Sequence, residues 1–319
     1  MMKCTFVSVA CLFAAFGTLD GCSGAGNAVS TALPPGSPAA GLAPAAHAAP
    51  LPAGRSRQNL LFTAGLGNAV GYFSANINEK NPPLLGQITS GVTRAEGLLV
   101  DAHGTLYLSN DTWPASIVEY KRGSKTPFFT ITKGLYVPGS LAVDAYDNLY
   151  VADSQSGGVV LVYPPGASSP SKTISIPTQR GGPQGLAFDP HGNLLVSTFD
   201  IEHETGNVYS IAPGSTQPTN LNLQDLPGGA LGADKSANIY VGGSGGTIAV
   251  FAPGGTTPSR WITAAESGGF YSDFAVTANG TIYWPNYDND TMYEFAPGAS
   301  TSTNAFYPGG GTDAAVGAW

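Results

Sequence analysis

The stretch Leu141–Asp153 reads LAVDAYDNLYVAD, and four others share its shape: LLVDAHGTLYLSN (98–110), LAFDPHGNLLVST (186–198), LGADKSANIYVGG (231–243) and FAVTANGTIYWPN (274–286). Aligned on the aspartate, the copies place Asp101, Asp144, Asp189 and Asp234 in one register, with Thr277 in the fifth place. The spacing is 43 to 45 residues. A period of roughly 40–50 residues matches one small four-stranded sheet repeated around an axis.

Each period divides into four short strands. SLAV (140–143) leads through a turn to LYVA (149–152), then to GVVLVY (158–163) and SKTISI (171–176). The first three are apolar on both faces, as in sheets sandwiched between neighbouring sheets. The more polar fourth strand fits an outer rim. DPHG (189–192) has the residues of a type I turn, and DAHG (101–104) and TANG (277–280) are variants. DAYD puts Asp147 where glycine is usual, and Ala237 is the misfit of the series. Pro-Gly pairs in YPPG (163–166), IAPG (211–214) and FAPG (251–254, 295–298) fit type II turns.

Strand counting gives the number of blades. First-type strands start near residues 97, 140, 185, 230, 273 and 313, and second-type strands near 59, 105, 149, 194, 239 and 282. The domain opens with a second-type strand, NLLFTA (59–64), and closes with a lone first-type strand, DAAVGAW (313–319). The last strand therefore completes the first blade and removes free sheet edges. The fold class read from the sequence is all-β, a six-bladed β-propeller closed three-plus-one.

The text LAVDAYDNLYVADSQSGGVVLVYPPG resembles the NHL-repeat propellers, and more broadly the lactonase-like and virginiamycin B lyase-like propellers, over residues 58–319. That resemblance specifies fold strongly and function weakly, since such rings include ligand-binding modules, lyases, lactonases and scaffolds.

The composition agrees with such a ring. Glycine (43) and proline (25) are abundant while charged residues are 11%, yet apolar residues stay at 42%, which excludes a disordered chain. A net charge of −8 with no Lys/Arg cluster argues against a nucleic-acid partner.

The N-terminus predicts export. Lys3 precedes the apolar run CTFVSVACLFAAFGTL, and LDGC (19–22) resembles a bacterial lipobox, with Asp20 departing from the usual small or apolar residue. Residues 1–21 are read as a lipoprotein signal peptide and Cys22 as the acylated mature N-terminus, anchoring the chain to a lipid bilayer of the bacterial cell envelope. Cys4 and Cys11 would leave with the signal, so the ring would contain no thiol. Residues 22–57, rich in Ala, Pro and Gly, read as a tether, and 58–319 as the propeller.

Function in such a ring falls to the face carrying the second-to-third and fourth-to-first loops. Glu96, Asn110, Asp153 and Asn286 are oxygen-bearing candidates there for a divalent cation such as calcium, although no cofactor is predicted. Asn110 and Asp153 are equally suited to bonding their own loop backbones. The longest loop, STFDIEHETGN (197–207), contributes Asp200 and His203 among carboxylates. Trp113, Tyr136, Tyr271 and Tyr287 are candidate contact aromatics. The sequence is read as one ring per chain, a monomer, acting as a binding module for a protein or small-molecule ligand. The alternative is a metal-dependent lactonase or lyase.

Overall fold

A computed structural model describes residues 59–64, 68–154, 158–178, 182–200, 205–243, 245–265, 273–308, 311 and 313–319. The segments read as signal peptide (1–21) and tether (22–57), with Cys22, lie outside these residues, as do Tyr271 and His203.

The described chain is all-β and forms six four-stranded antiparallel sheets. The first blade contains β1 (Asn59–Ala64), β2 (Val70–Ser74) and β3 (Gly86–Ile88). The second has β4 (Ala95–Val100), β5 (Leu106–Asn110), β6 (Ser116–Tyr120) and β7 (Phe129–Ile131). The third has β8 (Pro138–Val143), β9 (Leu149–Asp153), β10 (Val159–Tyr163) and β11 (Lys172–Ser175). The fourth has β12 (Pro183–Phe188), β13 (Leu194–Asp200), β14 (Thr205–Ile211) and β15 (Thr219–Asn220). The fifth has β16 (Ala230–Ala233), β17 (Ile239–Gly243), β18 (Thr247–Phe251) and β19 (Arg260–Thr263). The sixth has β20 (Ala275–Val276), β21 (Ile282–Asn286), β22 (Thr291–Phe295) and β23 (Asn304–Phe306). The last strand, β24 (Asp313–Ala318), pairs with β1 from Asn59↔Ala318 to Ala64↔Asp313 and is the innermost strand of the first blade. The three-plus-one closure read from the sequence is the observed topology.

Packing explains why the inner strands are apolar on both faces. Six hydrophobic clusters fill six seams, each drawing residues from two successive blades. Tyr107 and Ile117 of the second blade meet Leu149, Val151 and Tyr163 of the third. The cycle returns through Tyr283 and Met292 of the sixth blade against Leu61 and Phe73 of the first. No blade has a core of its own, so each is stable only between neighbours.

The turns follow the sequence closely. Gly104, Gly192 and Gly280 end the inner turns at positive φ, and Asp147 (φ 62°) and Ala237 (φ 60°) take the same left-handed conformation without being glycine. In the outer turns Gly166, Gly214, Gly254 and Gly298 also have positive φ, each one residue after proline, as a type II turn requires.

Three inner strands begin with a β-bulge, at Ala95/Gly97, Pro138/Leu141 and Pro183/Gly185. The bulged residues include Glu96 and Gln184, which are thereby left exposed on the loop face. Below them the inner strands approach so closely that a Cβ on Gly97 would lie 2.3 Å from the Gly139 carbonyl oxygen.

Candidate functional site

Strand direction assigns the two ends of the ring. Inner strands start, and second strands end, on the face carrying the loops after the second and fourth strands. Inner strands of all six blades line a central cavity of about 270 Å³. Its lining is apolar or glycine except for Ser140, Asp273 and Asp313, which sit where their inner strands enter from the loop face.

Asp273 and Asp313 occupy the place held by Gly97, Ser140, Gly185 and Ala230 in the other blades. Small residues there leave room for two carboxyls. Asp313 is 2% exposed; one oxygen accepts from Leu98 N–H and the other from its neighbour Ala314 N–H (2.7 Å). Asp273 accepts from Leu231 N–H (3.3 Å) and is hydrogen-bonded by the Ser140 hydroxyl. Burial raises the proton affinity of both carboxyls, against the opposing pull of those hydrogen bonds. The negative charge of Asp273 raises Asp313 further, and Glu96 adds to it. Glu96 is itself shifted up by partial burial and by Asp111, with Arg94 opposing.

The proposed cation ligands have other employment. Asn110 is buried, its Oδ1 accepting from Thr93 N–H (2.9 Å) and Arg94 N–H (3.2 Å) while its Nδ2 donates to Gly91 C=O (2.9 Å) and Ser116 Oγ (3.1 Å). Asp153 accepts from Tyr136 N–H (2.8 Å) and Val137 N–H (3.3 Å). Asn286 accepts from Asp288 N–H (3.0 Å) and Asn289 N–H (3.4 Å). Each therefore folds a loop, and of the four only Glu96 presents its side chain to solvent. Asp200 ends β13 half-buried, paired with Thr205. Among the described residues no group of three or more His, Cys, Asp or Glu side chains is placed to hold a metal ion.

The aromatics on this face are presented outward. Trp113, from the loop between β5 and β6, is 79% exposed and meets Tyr136, 56% exposed, edge to face with ring centroids 6.5 Å apart. Val137 extends the patch, and an Arg94–Asp111 ion pair (3.2 Å) and a Thr93–Thr112 hydrogen bond (2.8 Å) tie the Trp113 loop to the loop that precedes β4. Tyr287 and Tyr307 are exposed in loops of the sixth blade on the same face.

Sequence reading pointed to Trp113 and Tyr136 but passed over Asp273, Asp313 and Tyr307. The two aspartates had a signal: they are the only acids at a place where the other copies are small.

No protein-family model matches the chain, and no curated protein matches it significantly. Solved structures do share its shape. A nidogen/laminin complex contains a chain 18% identical to this one, with a TM-score of 0.64 over 82% of this chain and 98% of that one. A protein of unknown function from Bacteroides caccae is 13% identical, with a TM-score of 0.60 over 82% and 99% of the two chains. These likenesses establish the propeller fold.

Proposed function

We propose that the chain is an exported, lipid-anchored propeller that binds a ligand on its loop face, with the Trp113–Tyr136 patch as principal contact. The observation carrying this reading is the exposure of two large aromatic rings, in mutual contact, on loops restrained by Asp153 beneath Tyr136 and by the Thr93–Thr112 and Arg94–Asp111 contacts beside Trp113. Loops restrained in this way lose less entropy on binding, and Trp and Tyr dominate the energetic centres of interfaces. A nidogen/laminin complex shows this kind of ring in a protein assembly. Metal-dependent lactonase chemistry finds less support, because Asn110, Asp153 and Asn286 spend their oxygens on loop backbone.

The test uses purified residues 23–319 titrated against protein and polysaccharide fractions of the cell envelope. Saturable binding to one fraction, weakened at least ~10-fold by Trp113→Ala with Tyr136→Ala, supports the reading. Unchanged binding by the double variant removes the patch from the site. A stoichiometric, tightly held divalent ion in the purified protein would return the enzyme reading to first place. Anchoring has a separate test: Cys22→Ser should release the protein from membranes, and continued attachment would contradict the lipid anchor.

A further inference from the structure

Among the described residues the exposed leucines and phenylalanine lie at one corner of the ring, on the end opposite the loop face, where the first two blades meet. Leu84 (47% exposed) and Leu85 (46%) lead into β3, and Phe128 (49%) leads into β7. Lys121, Arg122 and Lys125 come from the connection between β6 and β7 at the same corner. Contacts join the two groups. Lys125 Nζ stands 5.4 Å from the Tyr72 ring centroid and would be 3.0 Å from a Cβ on Gly86, the residue after Leu85. Lys121 Nζ stands 5.2 Å from the Phe128 ring centroid.

The chain enters the ring at this corner. Asn59, the first residue of β1, pairs with Ala318, and its C=O accepts from Ala75 N–H (3.1 Å). A side chain on Gly104 would strike both the Arg122 guanidinium and the Ala318 C=O, so Arg122 stands beside the entry. The sequence ahead of Asn59, which holds Cys22, therefore joins the ring next to the basic and apolar side chains. The loop face has the opposite charge. Among the described residues its loops contain two cations, Arg94 and Lys133, against Glu96, Asp111, Asp288, Asp290 and the channel-mouth Asp273 and Asp313. Two acids belong to the basic corner and are themselves engaged. Asp101 accepts from His103 N–H and Thr105 N–H, and Glu119 is buried and pushed up to about 7 by that burial and by Asp101.

Cations interleaved with exposed apolar side chains suit an anionic lipid surface, which attracts the charges and takes up the apolar groups. We propose that this corner rests on such a surface, so that the ring stands on its turn end and holds the loop face, with Trp113 and Tyr136, away from the membrane. The proposal rests on the lipid-anchored reading for its setting: an anchor at Cys22 keeps the corner near the bilayer and raises its effective concentration there. Each Lys or Arg close to an anionic surface strengthens binding about fivefold. Three cations therefore orient a ring that the anchor holds, and salt detaches a ring that has no anchor.

The experiment is sedimentation of residues 23–319 with vesicles of phosphatidylcholine, alone or mixed with phosphatidylglycerol. This chain has no acyl group, so vesicle binding reports on the corner alone and Cys22→Ser on the anchor alone. The ring should bind the anionic vesicles at low salt, release at high salt, and ignore phosphatidylcholine. Lys121→Gln/Lys125→Gln, both exposed positions, should weaken binding at least ~10-fold, while Lys133→Gln on the loop face leaves it unchanged. Absence of binding to the anionic vesicles, or equal loss in the two variants, would overturn the proposal. Equal affinity for soluble polyphosphate, with Leu84→Ser/Leu85→Ser without effect, would overturn a lipid surface as the partner. Hydrogen–deuterium exchange of the vesicle-bound ring should slow in residues 82–86 and 121–128, and slowing in 111–115 instead would overturn the orientation.

Discussion

Asp144 shows what the repeated aspartate is for. Its Oδ1 accepts from Tyr146 N–H and Asn148 N–H (both 2.9 Å), and its Oδ2 from Asn148 Nδ2 (2.9 Å) and Tyr150 OH (3.2 Å). Asp189 and Asp234 repeat the clamp on their own turns, and Thr277 keeps part of it through Thr281 N–H (3.0 Å). The repeated residue is thus a turn-former on the face opposite the loops. Asp144→Ala should cost about 1–2 kcal/mol in unfolding measurements, the usual cost of stranding hydrogen-bond donors, and leave ligand binding unchanged. These turns were legible because each is local. Asp273 and Asp313 were not, because each reads as a single acid ahead of an apolar strand, and only ring closure makes them neighbours. Asn110 and Asp153 posed the converse problem: the same residue types serve loops or ligands, and only their observed partners separate the two.

At the scale of elements, the closing strand is the most exposed to damage. Trp319, at its end, packs against Phe62 (5.2 Å, edge to face) and Tyr72 (5.2 Å, tilted), joining β24 to the first two strands of its blade. Trp319→Ala should lower stability by about 2 kcal/mol, less than for a fully buried tryptophan since the ring is only partly covered. Truncation before Asp313 should go further and prevent folding, because the first blade would lose its innermost strand and the channel a sixth of its wall. Circular dichroism and gel filtration would show both effects, and a truncated chain as compact and cooperative as the full one would refute the closure account. Strand order and closure were readable because each strand type has its own apolar pattern. The bulges at Glu96 and Gln184 were not, since a bulge depends on pairing register, which a strand's own sequence leaves open.

For the whole molecule, the ring divides labour between its ends. One end carries the repeated turns, nearly identical from blade to blade; the other carries loops that differ, with Trp113 and Tyr136 outside and the carboxyl pair within. Six seam clusters hold the loops' bases fixed, so ligand contact need not deform the scaffold. Hydrogen–deuterium exchange with and without the bound envelope fraction tests this division most directly. Binding should slow exchange in residues 111–115 and 132–137 and leave the turns at 101–104, 144–147 and 189–192 unchanged. Protection of those turns, with the loops unaffected, would contradict the claim that the loop face is the binding face.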